Sequence, residues 1–103
     1  MESIFKEEQL NKLPALYEQD GKGDNAKVYL RVNIKGTNFN WLLTEYCRES
    51  ENFFGFACLN DTYNAELGYI NKFELDNLGK EYPMVVEDME MSLKNAKDKY
   101  IFN

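Results

Sequence analysis

Residues 27–47 read KVYLRVNIKGTNFNWLLTEYC, and the alternation along them decides the fold. Val28, Leu30, Val32 and Ile34 fall on one side of an extended chain, while Tyr29, Arg31 and Asn33 fall on the other. This period of two, carried by β-branched and aromatic residues, predicts a half-buried strand. Gly36 to Asn38 is a hairpin-sized connection into a second strand, Phe39 to Cys47. On that strand Phe39, Trp41, Leu43 and Glu45 are expected on one face, with Leu42, Thr44 and Tyr46 on the other.

Working outward, FFGFACL at 53–59 and AELGYI at 65–70 read as two more strands, separated by the polar loop NDTYN. Gly55 marks a bulge or a close backbone approach. Asn71 suits a helix N-cap and Glu74 stands at the capping-box spacing, so KFELDNLGK should be helical, with Gly79 as its stop. PMVVEDMEM follows as a fifth strand, opened by Pro83 and therefore at a sheet edge. The tail SLKNAKDKYIF has helical spacing. Upstream, Ser3 to Leu13 is weakly amphipathic and ends at Pro14, and DGKGDN at 20–25 is a turn cluster. The order is helix, four-strand meander, helix, strand and helical tail. With helices at one face or end, that is an α+β class: one small domain over 1–103, with four to five mainly antiparallel strands and two or three short helices.

Composition narrows the function classes. At 103 residues, 44% hydrophobic and 15% aromatic, the chain has enough apolar surface for one core. The net charge of −6 repels phosphate backbones and disfavours direct nucleic-acid binding. It suits either simple solubility or recognition by a basic groove on another protein. No apolar run is long enough to span a membrane, and the opening MESIFKEEQLNKL is too charged for a signal segment. A cytoplasmic setting with Cys47 and Cys58 reduced is the expectation.

There is no His, so the commonest general base and metal ligand is missing. Cys47 and Cys58 lack zinc-site spacing, and GKGD lacks the ending of a phosphate loop. No cofactor is expected. The remaining chemistry is acidic: Glu45, Glu66, Glu87 and Asp88 lie on or beside predicted strands. If Glu45, Glu66 and Glu87 converge, they could act as acid and base, or hold Mg²⁺ or Ca²⁺. Otherwise Glu45 and Glu66 bond to neighbouring strand or loop groups, and Glu87 and Asp88 are solvated, adjacent strand residues pointing to opposite faces. The aromatic set Trp41, Tyr46, Phe53, Phe54, Tyr63 and Tyr69 either fills the core or forms a binding patch.

Five segments in order, LPALYEQDGKGD, NWLLTEY, FFGFACLND, AELGYINKFEL and VVEDME, carry a family likeness. The stretch from Leu13 to Glu90 resembles the bacterial domain-of-unknown-function family twenty-nine fifty-eight. Leu42 stands where the family has Tyr, Asn71 where it has a capping Ser, and EYPMVVEDM replaces a Gly-Leu-Pro-Ile-Glu-Arg-Asp segment, losing its Arg. The resemblance implies no known catalysis. It implies an accessory role on plasmids and conjugative elements, where such genes often neighbour antirestriction proteins. Two functions follow as expectations: a non-catalytic protein-binding accessory of a mobile genetic element, of antirestriction or anti-CRISPR type, or a small enzyme or divalent-metal domain built on the carboxylates. For the binding function the candidate residues are Trp41, Glu45, Tyr46, Glu66, Tyr69, Glu87 and Asp88. A homodimer through an edge strand is a further expectation, limited by Pro83 and the charges of VVEDME.

Overall fold

A computed structural model describes residues 3–102. The elements follow in the order α1 (Glu7–Asn11), β1 (Lys27–Ile34), β2 (Phe39–Cys47), β3 (Asn52–Leu59), β4 (Glu66–Asn71), α2 (Lys72–Glu81), β5 (Met84–Ser92) and α3 (Leu93–Tyr100), with 3₁₀ turns at Gly23–Asn25 and Thr62–Asn64. All five strands form one antiparallel sheet in the order β4-β3-β2-β1-β5. The α+β class and the meander of β1 to β4 are as the sequence reads. β5 is an edge strand, as Pro83 implies, and it reaches the far edge because α2 carries the chain across the sheet from β4.

The helices do not all gather on one face. The first face, carrying Leu30, Val32, Trp41, Leu43 and Phe53, is covered by Phe5 and Leu10 of the N-terminal region and by Leu75 of α2. The second face, with Val28, Leu42, Phe56 and Cys58, is covered by Leu93, Ala96 and Ile101 of the α3 segment. α3 packs chiefly on β1, β2, β5 and the Gly23–Asn25 turn. Toward β4 the second face is left to Leu67 and Tyr69, which stay exposed.

Local signals explain the helix ends. Asn71 Oδ1 accepts the Phe73 N–H at 2.9 Å, and Ser92 Oγ accepts the Asn95 N–H at 3.1 Å, so both caps satisfy a first-turn amide. Gly79 does not end its helix: α2 continues to Glu81. Its bare Cα instead lets Ile4 pack closely, since a Cβ there would lie 2.6 Å from the Ile4 side chain. α1 is confined to Glu7–Asn11, because the chain before it is held elsewhere. Ser3 Oγ and the Ile4 N–H both donate to Asp76 of α2, at 2.8 and 2.9 Å.

Two register shifts change which residues share a face. Against β5, Val28 pairs with Met91 but Leu30 with Asp88. Val28 consequently joins Leu42 and Leu93, away from Leu30, Val32 and Ile34, whereas Tyr29 packs against the first-face core. Against β3, Leu43 pairs with Gly55 and Glu45 with Phe54, so β2 carries an extra residue between them. The cause sits across the ladder. A Cβ at Gly55 would lie 2.2 Å from the Leu42 carbonyl oxygen, an approach that only glycine permits. Past the bulge, Glu45 leaves the Trp41 and Leu43 face and Tyr46 rejoins it, which reverses the alternation expected for both.

Candidate functional site

The bulge sets the cross-strand rows over β2, β3 and β4. Leu42–Phe56–Leu67 and Glu45–Phe54–Tyr69 are rows on the second face, while Trp41–Ala57–Glu66 and Tyr46–Phe53–Ile70 belong to the first. Where β1 separates from β2, the segment after Pro14 takes its place: the Tyr46 N–H donates to the Pro14 carbonyl at 2.9 Å. Gln19 bridges the gap. Its Nε2 donates to the carbonyls of Lys27 and Thr44, each at 2.9 Å, and its Oε1 accepts the Lys27 N–H at 2.6 Å.

Glu45 anchors this loop from below. It is only 4% exposed, and its carboxylate accepts the backbone N–H groups of Tyr17 at 3.0 Å and Gln19 at 2.6 Å. Burying a carboxylate is costly, and two charge-assisted bonds from backbone amides offset that cost without a cation. The anchor holds Tyr17 at φ 75°, a left-handed conformation rare for a bulky aromatic residue. Strain of this kind costs on the order of 1–2 kcal/mol and survives only where neighbours impose it.

Between this loop and β4 lies a cleft of about 380 Å³, lined by Tyr17, Gln19, Glu45, Phe54, Leu67 and Tyr69 among others. The Tyr69 hydroxyl donates to that of Tyr17 at 3.1 Å, and Phe54 and Tyr69 make an edge-to-face pair with centroids 5.4 Å apart. The hydrogen bond to Tyr17 raises the Tyr69 pKa, aided by partial burial and by the charges of Glu45 and Asp20. Tyr17, Leu67 and Tyr69 remain 67%, 46% and 58% exposed, a concentration of accessible apolar surface at the β4 edge.

Of the residues singled out from sequence, Glu45, Tyr69 and Phe54 of the aromatic set come together here. The others do not. Trp41 and Tyr46 are buried core residues of the first face, with Tyr46 stacked obliquely on Phe53 at 4.6 Å. Glu66 is exposed at the start of β4, in the Trp41 row. Glu87 and Asp88 lie on β5, at the opposite edge of the sheet. Glu87 pairs with Arg31 at 3.4 Å, whose guanidinium rests 4.3 Å from the Tyr100 ring centre and so helps seat α3. Asp88 pairs with Lys12 at 2.6 Å, which holds its carboxyl below the usual range and ties β5 to the chain after α1. The sheet thus spreads Glu45, Glu66 and Glu87 over separate strands and both faces, and the carboxylate cluster is not assembled. Among the described residues, no group of three or more His, Cys, Asp and Glu is placed to hold a metal ion.

Leu67 of β4 has no signal of its own in the sequence, and neither do Tyr17 and Gln19. Tyr17 and Gln19 sit in LPALYEQD, a segment without periodicity, whose only signal is its part in the family likeness. Comparison with family models, with curated proteins and with solved structures gives no match. No helix among the described residues is long and apolar enough to cross a membrane.

Proposed function

We propose that this protein is a non-catalytic binding module that docks a partner protein on the exposed β4 side of its sheet. The observation that carries this reading is the exposed group Tyr17, Leu67 and Tyr69 around a cleft beside a free edge strand. Accessible aromatic groups of this kind mark interaction sites, and an unpaired strand edge supplies backbone donors and acceptors to a partner. The two edges differ in a way that supports it. β5 is guarded by Glu87, Asp88 and Glu90 and preceded by Pro83, whereas β4, ELGYIN, carries a single charge at Glu66.

The resemblance of five ordered segments to family twenty-nine fifty-eight supplies the context: a cytoplasmic accessory of a mobile genetic element that inhibits a host defence system, of antirestriction or anti-CRISPR type. Acidity fits that role, since a net charge of −6 complements the basic surfaces of nucleic-acid-handling proteins. The test is capture of proteins from bacterial lysate on the tagged protein and on its Leu67→Asp variant, with assay of restriction and CRISPR interference. A nuclease, methyltransferase or CRISPR component retained by the native protein and lost from the variant is the expected result. An identical bound set on both proteins, with defence activity unchanged, would overturn the reading.

A further inference from the structure

The cleft combines two features that seldom share a wall. Its sides are aromatic and apolar, from Tyr17, Phe54, Leu67 and Tyr69, while the charged side chains that line it are Glu45 and Asp20, both negative. Neither Lys nor Arg lines it. Glu45 takes its hydrogen bonds from backbone amides, so its charge is not neutralised by a neighbouring cation. An anion or a simple hydrocarbon would leave this negative field unanswered. A cation on an apolar stem would satisfy both the field and the walls, because tyrosine faces attract cations and the stem of Lys or Arg packs on apolar surface.

We propose that the cleft between the Tyr17 loop and β4 receives a lysine or arginine side chain presented by a basic partner protein. The stem lies against Phe54 and Leu67, and the charged head meets the tyrosine rings and the field of Glu45 and Asp20. The Tyr69 pKa, raised chiefly by the hydrogen bond to Tyr17, is raised further by both carboxylates. This inference rests on the docking reading of the same face and adds the chemistry that the face selects.

The test uses the isotopically labelled protein and a short blocked peptide, Ala-Val-Arg-Val-Ala, titrated by two-dimensional NMR beside versions with Lys, citrulline or norleucine at its centre. The Arg and Lys peptides are expected to shift the amides of Tyr17, Gln19 and Tyr69 and to bind about tenfold more tightly than the neutral versions. That preference should shrink at high salt and in Tyr69→Ala, and also in Asp20→Asn, an exposed position whose exchange spares the core. Citrulline and norleucine peptides that bind as tightly as the Arg peptide would overturn the cation inference while leaving the docking face intact. Shifts outside the cleft, or none with any peptide, would also overturn it. The docking face falls separately, if Leu67→Asp leaves lysate capture unchanged. Free spermidine binding the cleft more tightly than the Arg peptide would overturn the assignment to a protein side chain.

Discussion

Tyr17 is where stability and function pull apart. A left-handed φ costs a non-glycine residue on the order of 1–2 kcal/mol, and glycine at the same place removes that strain while adding about 0.5–1 kcal/mol of unfolded-chain entropy. Its exposed ring contributes little to the core. Tyr17→Gly should therefore leave stability within about 1 kcal/mol of the native value by urea denaturation. Partner binding should weaken by about 2 kcal/mol, on the order of thirtyfold in Kd, as expected for an aromatic anchor at the centre of an interface. A large loss of stability with unchanged binding would mean that the strain serves folding alone. Glu45 acts beneath it, through two amide bonds that fix the loop where the ring must stand.

At the scale of elements, two glycines that look alike in sequence have opposite burdens. Gly55 of β3 faces the backbone of β2, where an added Cβ would meet the Leu42 carbonyl at 2.2 Å, and a backbone cannot move aside without opening the sheet. Gly79 of α2 faces only the end of the Ile4 side chain, which can turn. Gly55→Ala should cost about 3 kcal/mol or more and lower the thermal midpoint by more than about 10 °C. Gly79→Ala should fall within about 1 kcal/mol of neutral, the better helix propensity of alanine offsetting the displaced Ile4. Calorimetry of the two variants checks both, and hydrogen exchange at Tyr17 and Gln19 should rise in the first alone, since the bulge that places Glu45 depends on Gly55.

Across the whole molecule, charge and topology act together. The sheet buries its first face under the N-terminal region and α2, and α3 closes part of the second, leaving the β4 side open on an acidic chain. A partner drawn by that charge should associate fast at low salt. Its Kd should rise about tenfold between roughly 0.05 and 0.5 M salt, as screening shortens the reach of surface charge. Calorimetric titration across that range checks it, and an affinity indifferent to salt would place the binding energy in apolar contacts alone.

Alternation in KVYLRVNIK and FNWLLTEYC, the Asn71 cap, and Pro83 at the head of β5 were enough to give the class, the meander and the edge strand. Each of these signals is local, carried by neighbouring side chains and their backbone preferences. The face occupied by Glu45 and Tyr46 was beyond such reading, because period two holds only while no residue is inserted. That insertion is permitted by Gly55, on another strand, and its effect is felt at Tyr17, on a loop without periodicity. Which segments become strands and helices is legible along the chain. That Glu45 turns from the core face to the cleft depends on a close contact between two strands, which sets the register there.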